Sequence, residues 1–132
     1  ISYSKHHKHS QYLIENSEII GFDENEIQII SNLARYHRKS LPKISHKKYR
    51  DLSIVDKNIV LQMGSILRIA DAMDRSHNAL FEDFEVIVFE NKIRMIVNAR
   101  EDDFSLEREG ISKKSDLFEA TFNKKVNLET RR

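Results

Sequence analysis

The 132-residue sequence contains no cysteine. That excludes disulfides and thiolate metal sites and fits a cytoplasmic protein. Its three glycines are scattered singly, which excludes a glycine-rich phosphate loop. No apolar run approaches the ~20 residues that a membrane span needs, so no membrane partner is expected. No signal-peptide pattern is present either. Spacing singles out no Ser/His/Asp or Cys/His arrangement, so no catalytic residue is assigned. Few aromatics interleave with the basic residues, which argues against a stacking platform for single-stranded nucleic acid.

What is present is charge, unevenly placed. Apolar residues make up 39% and charged residues 33%, enough for a core beneath a heavily charged surface. The net charge of +1 hides a basic first part and an acidic remainder. Residues 1–50 hold nine Lys/Arg against five Asp/Glu, and residues 51–132 hold thirteen against sixteen. From Arg35 to Arg50 there are seven Lys/Arg and no acid. Such a stretch is either a solvated basic loop or a surface that gathers anions by its field.

The hydrophobic pattern predicts helices first. Residues 5–19 form one, with Gly21 as its left-handed stop. Asp23 and Glu26 have the spacing of a capping box, opening a helix over 24–39 that ends before Pro42. A loop over 40–52 holds at most one helical turn near Tyr49. Ser53 or Asp56 caps a long helix reaching residue 76, with Ile59, Met63, Ile66, Leu67, Ala70 and Met73 as its buried stripe. Gly64 inside it costs ~1 kcal/mol relative to Ala and marks close packing or a functional approach. After residue 80 the period changes from 3.6 to 2. A hairpin turns at Glu90-Asn91-Lys92, followed by a helix over 104–118 with Leu106, Ile111, Leu117 and Phe118 inward, then a strand over 125–130. The expectation is an α+β chain: a mostly helical bundle over 1–80 and a β-β-α-β subdomain over 81–132.

Three segments carry imidazoles and carboxylates on successive predicted helices: His6-His7-Lys8-His9-Ser10, Ala34-Arg35-Tyr36-His37-Arg38-Lys39, and Leu67-Arg68-Ile69-Ala70-Asp71-Ala72-Met73-Asp74-Arg75-Ser76-His77. Such groups are costly inside helical proteins unless paired or bound to something. His9, His37 and Asp71 each lie on a different helix and form a candidate metal set, since imidazole with carboxylate suits zinc, iron, nickel or manganese. The alternatives are hydrogen-bonded core histidines and an Asp71 that anchors Arg35 or Arg38.

These segments, with Gln11-Tyr12-Leu13-Ile14, Asn16-Ser17, Gly21-Phe22 and the tail residues Asp116-Leu117-Phe118-Glu119 and Phe122, resemble the C-terminal region of the exopolyphosphatase / guanosine pentaphosphate phosphatase family (Ppx/GppA). The resemblance covers nearly the whole chain. It implies a helical domain of the HD type followed by a small α/β appendage, and a longer parent whose actin-like domains precede it and carry the phosphohydrolase cleft. On this reading the chain is truncated at its N-terminus, and the signature His-Asp pair lies before Ile1. His9, His37 and Asp71 then match later positions of the HD pattern, so a divalent metal (Mg, Mn or Zn) belongs to the parent and not to this chain alone.

The resemblance also implies a role. The chain is expected to be an accessory domain that extends a polyphosphate channel and supports a homodimer. Arg35, Arg38, Lys39, Lys43, Lys47 and Lys48 would hold the phosphates of polyphosphate or of a phosphorylated guanosine nucleotide. Two other readings stay open: a metal-dependent HD nucleotide phosphohydrolase, and a structural dimerisation module with a merely solvated basic run.

Overall fold

A computed structural model describes residues 6–16, 19–38, 40–100 and 103–131. Helix α1 covers His6–Glu15, α2 Glu24–Tyr36, α3 Lys47–Arg50 and α4 Ile54–Met73. Strands β1 (Phe81–Val88) and β2 (Lys92–Ala99) follow, then α5 (Ser105–Lys114), α6 (Asp116–Phe122) and β3 (Lys125–Thr130). Two compact units are formed, residues 1–67 and 68–132. Ile69 and Met73, from the second half of α4, join the core of the second unit.

The first unit starts α2 as the sequence predicts. The Asp23 carboxylate accepts the Glu26 N–H at 2.8 Å, and the Glu26 carboxylate accepts the Asp23 N–H at 3.1 Å. Two backbone donors that a helix start leaves orphaned are thereby satisfied. Gly21 takes the positive φ of 95° expected of it. Helix α4 opens with the Ser53 hydroxyl accepting the Asp56 N–H at 3.1 Å. Tyr36, Tyr49 and Val60 form the buried apolar cluster, with Ile29 and Leu52 against it. The buried Asn32 ties the elements together: its amide donates to the Gln28 carbonyl at 2.8 Å and the Lys48 carbonyl at 3.4 Å, and its Oδ1 accepts from Gln11 at 3.5 Å.

The buried stripe of α4 is not the expected one. Met63 and Ile66 are 52% and 55% exposed, and Leu67 and Ala70 are exposed too. The buried positions of α4 are Val60, Gly64, Ser65, Arg68, Ile69 and Ala72. Leu33 lies over Gly64, where a built Cβ would stand at an ordinary contact distance of 3.7 Å from Leu33 Cδ2. Hydropathy alone favours the larger apolar face, but the face that packs is the one that sets Val60 with Tyr36 and Tyr49 and Ile69 with Met95 and Phe118.

In the second unit the sheet order is β1-β2-β3, with β1 antiparallel and β3 parallel to β2. Parallel β2 and β3 require a crossover, which α5 and α6 supply. The expected single helix over 104–118 is two, broken at Ser115. The Ser115 hydroxyl donates to the Ile111 carbonyl at 2.5 Å, a back-bond that bends helices. Asn123, at φ 54°, ends α6 in the left-handed conformation. Leu106 points outward at 58% exposure, against expectation, and its neighbour Glu107 is buried at 1%. The reason is polar: Glu107 Oε2 accepts the Ser76 N–H at 2.8 Å. Ile69, Met95 and Phe118 form the main core beside Ile93, Phe122, Val126 and Leu128. Phe84, Val86 and Val88 on β1 stay exposed.

Candidate polyanion-binding surface

Helix α2 delivers Arg35 and Tyr36 in its last turn. The loop beyond it folds back, and the His46 N–H donates to the Lys43 carbonyl at 2.9 Å. The His46 carbonyl then accepts the N–H groups of Tyr49 and Arg50 at 3.1 and 2.8 Å, fixing it as the residue that starts α3. His46 is thereby pressed against Tyr36. The Tyr36 hydroxyl and His46 Nδ1 are 2.7 Å apart, and the rings stack with centroids 5.7 Å apart. Tyr49 meets the Tyr36 ring edge-on at 6.1 Å. Burial pushes the Tyr36 phenol up to about 12, with the Arg35 charge opposing. The phenol therefore keeps its proton near neutrality and can donate to the imidazole or accept from it.

Arg35 lies beside this pair. The Arg35 guanidinium lies 5.5 Å from the Tyr36 ring centroid, and its Nε is buried with no hydrogen-bond partner among the described residues. The His46 imidazole is held below its ordinary value by burial, then by the charges of Arg35, Lys43 and Lys8. Among the described residues no ion pair engages Lys8, Arg35 or Lys43. Guanidinium and ammonium groups left in this state suit an oxyanion, which accepts charge-assisted hydrogen bonds.

Residues 1–126 match the family described as Ppx/GppA phosphatase, domain III. The chain belongs to that family. A 43-residue stretch is 42% identical to a guanosine-5'-triphosphate,3'-diphosphate pyrophosphatase of Pseudoalteromonas translucida (strain TAC 125), covering 33% of this chain and 9% of the relative. The chain thus spans only a small part of the length of the curated relative it matches.

The other expected phosphate ligands of this Ppx/GppA domain are placed unequally. Arg38 is half-buried just past α2, and Lys39 lies outside the described residues. Lys47 and Lys48 are exposed on α3 and border a groove that also carries Glu24, Asp51 and Asp56. Lys48 Nζ is 2.9 Å from Glu15 Oε2. Arg50 pairs with Asp51 at 3.3 Å. Acids distant or adjacent in sequence therefore enter a stretch that contains none of its own.

The candidate metal set is spread over three helices. His9 is half-buried on α1, His37 is the C-cap of α2, and Asp71 is half-buried on α4 in the second unit. The His37 Nδ1 is engaged with the Ala34 carbonyl. Among the described residues no three His, Asp or Glu side chains are gathered as a metal site.

Sequence reasoning missed the pairing of Tyr36 with His46. Tyr36 and His46 are ten residues apart across a loop with no periodic pattern. The signal that was available is the unbroken basic run on either side of His46.

Proposed function

We propose that this chain is an accessory domain of a phosphoanhydride hydrolase and that it binds polyanion for its parent. The substrate class is inorganic polyphosphate or a guanosine nucleotide bearing several phosphates, the latter suggested by the relative's name. The observation that carries the reading is the run of seven Lys/Arg without an acid from Arg35 to Arg50, with the Arg35 guanidinium beside the Tyr36 ring and its Nε unpartnered among the described residues. Lys47 and Arg38 extend that surface, and Lys39 joins it by sequence. Hydrolysis is assigned to actin-like domains preceding this one in a cytoplasmic parent, and the HD-like character of the helical part belongs to the same proposal.

The proposal includes self-association. Met63, Ile66 and Leu67 on α4 leave an apolar helix face uncovered in the isolated chain. Contiguous apolar surface of this kind drives association, and a homodimer is the simplest closed assembly.

The test is equilibrium binding of fluorescently labelled inorganic polyphosphate, read by anisotropy across a salt series. Affinity should fall steeply with salt through counterion release. Changing Arg35 and Lys43 together to Gln should weaken binding about tenfold at ~0.15 M salt. Unchanged affinity in that double variant would sink the reading.

A further inference from the structure

We propose that the outer edge of β1 binds an extended segment of another protein as an added strand, and that this segment alternates apolar and basic residues. The edge lies wholly within the second unit and owes nothing to the basic stretch of the first.

The two edges of the sheet are unlike. Lys125 and Arg131 donate their N–H groups to the carbonyls of Asn91 and Val97 at 3.1 and 3.2 Å, so Val126 and Leu128, out of phase with them, turn theirs away from β2. The chain caps these outward groups itself. The Glu119 carboxylate accepts the Val126 N–H at 3.0 Å, and the Arg108 guanidinium donates to the Leu128 carbonyl at 3.4 Å.

Strand β1 has no such caps. The Phe89 N–H donates to the Lys92 carbonyl at 2.9 Å, which sets the phase of the antiparallel ladder. Bonded pairs then recur at Ile87 with Arg94 and at Glu85 with Ile96, while Phe84, Val86 and Val88 turn their N–H and C=O groups outward. Among the described residues no side chain or loop bonds to those groups. The same three residues carry exposed apolar side chains. In register with Val97, Met95 and Ile93, they share the sheet face on which Phe118 and Phe122 pack. The core-lining face thus runs out past its helices at β1. An added strand would bond the three open backbone positions and lay its apolar side chains against Phe84, Val86 and Val88.

Charge selects the occupant. Within its eight residues β1 holds the acids Glu82, Asp83 and Glu85 and no cation. Glu82 and Glu85 meet only the exposed Arg100 and Arg131, at 3.8 and 3.3 Å. No ion pair engages Asp83 among the described residues. Asp83 and Glu85 stand on the face opposite Phe84 and Val86, so Lys or Arg at every second position of the added strand would answer them across the new ladder. A second copy is disfavoured, because its own β1 repeats the acids.

The probe is a labelled peptide of about eight residues that alternates valine and lysine, a typical strand length. It should bind in anisotropy, and on binding the amides of Phe84, Val86 and Val88 should exchange with deuterium at least about tenfold more slowly. The same peptide with glutamate in place of lysine should bind at least about tenfold more weakly. Val86→Pro removes an outward N–H and no ladder bond, so it should weaken binding about tenfold while the Glu85 and Ile87 amides stay protected by β2. No binding at about 1 mM peptide overturns the proposal. So does binding that leaves the Phe84, Val86 and Val88 amides unprotected, or equal binding of the glutamate peptide. Protection of those amides in the protein alone, growing with its concentration, would assign the edge to a second copy and also overturn it.

Discussion

Removing an acid from α1 should strengthen polyanion binding. Glu15 is the partner of Lys48 at 2.9 Å, and its side chain is only 12% exposed while the lysine's is 53% exposed. The carboxylate thus holds the ammonium from below, leaving its outer side toward solvent. Glu15→Gln keeps the shape and cancels the charge, which frees Lys48 for a phosphate. For a single-stranded polyanion each contact steepens the dependence of log K on log salt by about 0.7. At ~0.15 M salt, roughly 0.8 of a decade below 1 M, one added contact is worth about fourfold in affinity. A half-exposed pair contributes at most ~1 kcal/mol, so the fold survives its loss. The assay is polyphosphate anisotropy at several salt concentrations, fitted for affinity and slope together. Glu109→Gln is the control: it cancels one charge of the Lys113 pair at 2.9 Å, outside the basic stretch, and should leave both numbers unchanged. Equal gains in the two variants would reduce the effect to net charge. No gain with Glu15→Gln would remove Lys48 from the surface.

Gly64→Ala should stabilise the protein by about 0.5–1 kcal/mol in thermal or denaturant unfolding, since the added Cβ meets Leu33 at an ordinary contact distance of 3.7 Å and helix propensity improves. Glu107→Ala should destabilise by about 1–3 kcal/mol in urea unfolding, because the Ser76 N–H loses its buried acceptor. The Glu129 carboxyl is held below its ordinary 4.5 chiefly by its hydrogen bond from Arg94. That contribution is therefore present above pH ~4.5 and is lost as pH falls through the lowered value, and Arg94→Gln should flatten the acid limb of a stability–pH curve. The chain alone should release phosphate from polyphosphate far more slowly than ~1 per second, and turnover in the enzyme range would overturn the accessory assignment.

Local rules were legible in the sequence where one or two residues decide the outcome. Asp23 and Glu26 announced their capping box, Gly21 its positive φ, and the change of period after residue 80 the hairpin. The last strand, Lys125–Thr130, falls where alternation placed it. What escaped depends on partners far along the chain. The face of α4 that turns inward is chosen by Tyr36 and Tyr49 for Val60 and by Met95 and Phe118 for Ile69, and not by the sum of its own apolar side chains. Leu106 yields the interior to Glu107 because a backbone N–H at Ser76 needs an acceptor. The candidate surface shows the same limit. Its cations could be counted along the sequence, but the ring pairing beside Arg35 could not be read there. His46 meets Tyr36 only through a loop whose turn carries no periodicity, and Glu15 reaches Lys48 across two elements.

Strand β1 has a consequence of its own. It is an edge of the sheet, paired only with β2 among the described residues, and it offers Phe84, Val86 and Val88 to solvent along a free row of backbone donors and acceptors. Such an edge is a template for another copy of itself. Glu82, Asp83 and Glu85 stand on the same strand, with Glu85 3.3 Å from Arg131 and Glu82 3.8 Å from Arg100. Two copies aligned edge to edge would bring these carboxylates against each other. The acids act as gatekeepers: they keep a sticky strand from amyloid-like stacking by repulsion and not by cover. Protection by charge fails when the charge does. Acidic media or loss of Glu85 should therefore turn a well-behaved preparation into one that gels or forms fibres while its helices are still folded.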